Sequence, residues 1–208
     1  MTSPSHWADD DPVSGVLDGA SLLERAVGYT RGSLQLVAST PLTAATPCRS
    51  WDLLALLTHM NDSLAAFTEA AQIGYVDLVP VRDSAAEAGR LDDVGGVLVE
   101  RLRGRACALL AAWTHPPPRS VRVADRMLRS DLLAAAGALE IAVHGWDVAQ
   151  ACGAARPVPA ALAEDLLQVV PILVSEEDRP SRFADVVDVP VHAPPSTRLL
   201  AALGRRTP

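Results

Sequence analysis

The sequence predicts an all-α protein, an antiparallel four-helix bundle with a short extra helix and a Pro-rich C-terminal tail. Apolar residues recur at helical intervals in four long segments, proline or glycine interrupts the pattern between them, and one brief stretch, Val121-Arg-Val123, reads as extended. Short connections favour helices that bury their apolar stripes against one another. With 208 residues and 49% hydrophobic content, the chain is long enough for one substantial core, so a single domain is expected.

Residues 1–15, rich in Ser, Pro and Asp, read as a flexible N-terminal arm, residues 16–178 as the bundle, and residues 179–208 as a tail packing on it. Helix one is expected from about Asp18 to Ser39, through Leu22, Leu23, Ala26, Val27, Leu34 and Val37, stopping before Pro41. Helix two follows from Trp51 to about Ile73; Ser50 is placed to cap it, and Asp52 suits the positive end of its dipole. After a mixed connection over Tyr75 to Gly89, helix three spans about Leu91 to Trp113, and His115-Pro-Pro-Pro118 ends it because proline cannot continue the ladder. Ser130-Asp131 is expected to cap helix four, which runs to about Cys152, closed by Gly153, with a buried stripe of Leu132, Leu133, Ala136, Leu139, Val143 and Trp146. The shorter fifth helix, from about Pro159 to Ser175, has proline near its first turn, where the missing N–H does no harm.

Composition removes several function classes. A net charge of −7 and a pI near 5.1 offer no basic stripe for a polyanion, so no nucleic-acid partner is expected. The chain has no lysine; all of its basic residues are arginine, which excludes Schiff-base chemistry and a phosphate-cradling loop lysine. Three widely spaced cysteines, Cys48, Cys107 and Cys152, form neither a CxxC pair nor a disulfide framework, which points to the cytoplasm. The polar, acidic N-terminal residues do not read as a secretory signal, and no stretch reads as apolar enough for a membrane span.

The chemistry-bearing residues are His59 on helix two and the pair Glu140 and His144 on helix four. Residues four apart leave one helix face a turn above each other, the separation at which two ligands share an ion. His59 lies beside Leu56 and Met60 on the helical projection, so it looks into or along the edge of the core. Two imidazoles and a carboxylate suit a divalent transition metal, and three protein ligands leave a position for water or substrate. Zinc heads the candidates, although nickel, iron and cobalt take the same donors. A histidine on an apolar face is also a common core residue bonded to a carbonyl, so spacing alone leaves both readings open.

The segments Thr46-Pro-Cys-Arg-Ser-Trp-Asp-Leu-Leu-Ala-Leu-Leu-Thr-His59 and Glu140-Ile-Ala-Val-His-Gly-Trp-Asp-Val-Ala149 resemble the two signature segments of the actinobacterial DinB-like metal-binding proteins related to mycothiol-dependent maleylpyruvate isomerase. The stretch from Phe183 through Val189-Pro190 to Arg205 resembles the tail of one branch of that superfamily. The resemblance implies a four-helix bundle holding a divalent metal on His59, Glu140 and His144. It also implies a low-molecular-weight thiol such as mycothiol as cofactor, and a metal-dependent thiol transferase or isomerase acting on a small-molecule electrophile. The isomerase has an additional C-terminal domain contributing to its active site, where this chain has some thirty Pro-rich residues, so the resemblance implies the metal centre rather than that particular reaction. The alternative is a non-catalytic, metal-stabilised bundle serving as a sensor or small-molecule-binding module.

Other residues near these segments read as support. Asp147 is placed either to orient an imidazole or to pair with an arginine. Trp146 reads as core or cavity wall, and Cys48 as a small buried residue with a redox or ligand role left open. His6, His115 and His192 fall in arm, loop and tail and carry no assignment. Apolar outer helix faces would favour a homodimer, but alanine blurs the pattern.

Overall fold

A computed structural model of the chain describes residues 18–48, 51–76, 94–114, 119–123, 126–179 and 182–207. Among these residues the fold is mostly helical, with a small sheet that an all-α expectation misses. The elements in order are α1 (Gly19–Leu34), a 3-10 turn (Val37–Ser39), α2 (Leu53–Ile73), β1 (Tyr75–Val76), α3 (Val94–Thr114), β2 (Ser120–Val123), β3 (Arg126–Arg129), α4 (Ser130–Ala151), α5 (Ala160–Leu173), a second 3-10 turn (Glu176–Asp178) and α6 (Pro195–Ala202). The expected arm, the candidate cap Ser50, and His6 and His115 lie outside the described residues.

Local chemistry sets the helix ends. Asp18 caps α1 by accepting from the Ser21 amide at 3.2 Å, and Asp52 caps α2 by accepting from the Ala55 amide at 2.9 Å. Helix one therefore ends five residues sooner than expected, at Leu34, and the chain tightens into the 3-10 turn before Pro41. Gly74 and Gly153 follow α2 and α4 at positive φ, a left-handed closure expected from the sequence for Gly153.

The core follows from four faces. α4 lies along α1 and also touches α2, α5 and the two later strands, while α3 packs on α2 and α1. The expected single stripe on α4 is corrected accordingly: it is buried nearly all round, from Leu133 to Ala149, because neighbours surround it. Small residues permit the approach. At Gly145 an added Cβ would stand 2.2 Å from Thr30 Oγ1, and that hydroxyl donates to the Ile141 carbonyl at 2.8 Å. α4 is also the one helix among the described residues long and apolar enough to cross a membrane, contrary to the expectation of none; 83% of that window is buried inside the protein.

The sheet closes one end of this arrangement. β1 pairs parallel with β2, Tyr75 opposite Arg122, and β2 pairs antiparallel with β3, Val121 opposite Leu128. Val121 is fully buried, and the Arg122 guanidinium sits over the Tyr75 ring at 4.9 Å. The segment expected as a tail forms α6, which packs on α5 and buries Leu199, Leu200 and Leu203.

Candidate metal centre

α2 and α4 face each other, and the three sequence-predicted residues meet between them. His59 Nε2 lies 2.6 Å from Glu140 Oε1, and His144 Nε2 lies 3.4 Å from the same oxygen. One ligand atom from each of the three residues falls within 4.8 Å of the others. The two imidazole rings stand edge to face at 5.1 Å. His59 is at the rim of the core, its side chain 36% exposed, whereas His144 is buried.

Residues beyond that trio complete the surroundings. Ser63, one turn after His59, donates to Glu140 Oε1 at 3.1 Å. The Trp51 indole lies 4.5 Å from the His59 ring and 6.0 Å from the His144 ring, tilted against each. Thr46 orders the approach to α2: its hydroxyl accepts from the Cys48 amide at 3.1 Å and donates to the Trp51 carbonyl at 2.8 Å. Neither Trp51 nor Ser63 stood out in the sequence as a site residue, although Ser63 repeats the i, i+4 spacing that selected Glu140 and His144.

Asp147 fills both roles open to it. Its fully buried carboxylate accepts from His144 Nδ1 at 2.9 Å and from Arg205 Nη2 at 2.9 Å, each on Oδ2. Arg205 Nε reaches Oδ1 at 3.3 Å, and the Cys48 thiol lies 3.2 Å from Oδ2. Cys48 is half-buried, packs against the core and borders the site. Trp146 is buried in the core, and His192 is exposed.

The charges support one another. Burial acts to push the Glu140 carboxyl up, but the charge and hydrogen bonds of His144, then of His59, hold it well below the usual carboxylate range. Burial acts to lower His144, while the Glu140 charge and the bonds to Asp147 and Cys48 raise it well above the usual histidine value. Asp147 is lowered against its burial by the His144 hydrogen bond and the Arg205 charge.

Fold and site together define a mostly helical protein with a His, Glu, His cluster between two facing core helices. Residues 23–149 match the mycothiol maleylpyruvate isomerase N-terminal domain family, and the chain belongs to that family, within the DinB-like superfamily. No curated protein and no solved structure matches the chain.

Proposed function

We propose that the chain binds a divalent metal ion on His59, Glu140 and His144 and uses it to activate a low-molecular-weight thiol, of the mycothiol type, for transfer to or isomerisation of a small electrophile. The observation that carries this reading is the convergence of two imidazole nitrogens and one carboxylate oxygen from facing helices. That donor set fits zinc first, with nickel, iron or cobalt able to replace it, and it leaves room for a further ligand. Membership of a family described by mycothiol supports the choice of thiol. The bundle architecture implied by the resemblance belongs to the same reading, supported by the mutual contacts of α1, α2, α3 and α4.

When bound, such an ion lowers the pKa of a coordinated thiol so that a thiolate forms at neutral pH without any protein cysteine. The chain's own residues prepare the position. His144 is oriented by its Nδ1 bond to Asp147, which turns Nε2 toward Glu140. Trp51 packs beside both imidazoles and forms one wall of the position. Beside Glu140 and Ser63 lies a small apolar recess of about 20 Å³, walled by Val27, Leu34, Met60 and Leu102. Arg31 stands in its lining, available to a carboxylate.

Elemental analysis of untagged protein, followed by mycothiol titration of a cobalt-substituted sample, tests the reading. A stoichiometric ion and a new metal–thiolate absorption band are expected; protein that takes up no ion from a zinc solution refutes it. A second reading, a non-catalytic metal-stabilised sensor or small-molecule-binding module, draws on the partners that Glu140 and His144 already have within the protein. It predicts a bound ion with no thiolate band.

A further inference from the structure

Arg205 lies outside residues 23–149, yet it touches the residue that orients His144. Its position is fixed by the end of α6. The Arg205 amide bonds to the Leu200 carbonyl at 2.8 Å and the Gly204 amide to Ala201 at 3.0 Å, a Schellman closure with Gly204 at φ 77°. Leu199, Leu200 and Leu203 anchor that helix in the core, and Arg179 Nη2 donates to the Ala202 carbonyl at 2.8 Å. The turn therefore delivers one guanidinium, its side chain 12% exposed, onto a carboxylate with no exposure at all.

The hydrogen-bond geometry gives this pair a direction. Asp147 Oδ2 accepts from His144, Arg205 and Cys48, and Oδ1 accepts from Arg205 Nε, so the guanidinium grips both oxygens. A carboxylate held in this way cannot rotate away from His144 Nδ1. An imidazole whose Nδ1 must donate keeps Nδ1 protonated and leaves Nε2 to face Glu140 and His59.

We propose that Arg205 is a positioning residue for the candidate metal centre, holding Asp147 so that His144 keeps its proton on Nδ1 and presents Nε2 to the ion. Its consequence for metal affinity rests on the proposed function; its consequence for the imidazole does not. A closing segment beyond the family's matched residues thus sets the geometry of a ligand on α4.

The test uses the full chain, nitrogen-15-labelled at histidine, with zinc alone as the probe. In the metal-free protein the His144 Nδ1 proton should appear as a downfield signal protected from solvent exchange, assigned by its loss in His144→Gln. Arg205→Ala should keep the helical circular dichroism, lose that protection, and bind zinc about 10- to 100-fold more weakly. Arg205→Lys, which keeps the cation and loses the two-pronged grip, should fall between the two. Should the alanine variant fail to fold because Asp147 is left as an unpaired buried charge, Arg205→Lys, which keeps Asp147 and its counter-charge, carries the test by itself. An unchanged, protected Nδ1 proton together with unchanged zinc affinity in the folded variant would overturn the proposal. Absence of zinc binding in the unaltered protein would instead refute the proposed function, and the proton signal would then decide the role of Arg205 alone.

Discussion

Replacing His59 by alanine removes one of the three candidate ligands and is the substitution that disturbs the fold least. Its ring is at the rim, and Glu140 keeps the Ser63 hydroxyl at 3.1 Å and His144 at 3.4 Å. Four-ligand zinc sites in small peptides are worth roughly 10–16 kcal/mol, so one ligand carries about 3 kcal/mol. Its loss should weaken binding about 100- to 1,000-fold. With zinc at about 100 times its dissociation constant, the unaltered protein gains about 2.7 kcal/mol, which for a chain of this size raises Tm by about 5–10 °C. At that same concentration the variant's site is at most about half filled, and its Tm should rise by no more than about 1–2 °C. Thermal melts of both proteins with and without zinc, paired with elemental analysis, measure this. A variant that retains stoichiometric metal, or that shows the full zinc-induced shift, would refute the ligand assignment.

Three further outcomes are expected. Gly145→Ala places a Cβ against Thr30 Oγ1 at 2.2 Å and should destabilise by about 1–3 kcal/mol. Adding Thr30→Ala should recover part of that loss, and strictly additive melting shifts would show that the two helices do not meet there. Gly204→Ala combines positive φ with an approach of 2.7 Å to Ala184, so it should lower Tm and release the α6 closure, read as faster amide exchange at Arg205. The Tyr29 hydroxyl, which donates to the Arg156 carbonyl at 2.6 Å, is pushed by burial from 10.0 to about 12. Because its folded value is raised, its contribution to stability is complete below pH 10 and is lost as pH rises toward 12. Absorbance titration of Tyr75→Phe should therefore show no ionisation near pH 10 while the fold persists, and a reversible midpoint there would contradict the buried hydroxyl.

Long amphipathic helices were readable from the sequence because their period repeats over many residues. α2 and α4 end where Gly74 and Gly153 permit a left-handed closure, and α2 begins at Asp52. Of the sheet, only β2 was readable, as the extended Val121-Arg-Val123; its pairing was not, for the opposite reason. β1 has two residues, and its parallel partner β2 lies beyond the whole of α3, so neither alternation nor a hairpin turn announces the pairing. α6 hid behind its own prolines: Pro194 and Pro195 look like helix breakers, but at the first helical turn proline costs no hydrogen bond, and here they start the helix.

The site divides along the same line. Glu140 and His144 were found by a spacing that any helix enforces, and His59 by a motif on another helix; α2 and α4 then bring the three together. Asp147 was visible as a choice between imidazole and arginine, and the buried carboxylate takes both because its two oxygens accept from several donors at once. Its arginine could not be chosen from sequence, since the selection depends on where α6 docks and on the hand of the Gly204 turn. Arg205 directly follows the left-handed Gly204, so its pairing with Asp147 rests on that backbone reversal and not on any local charge pattern.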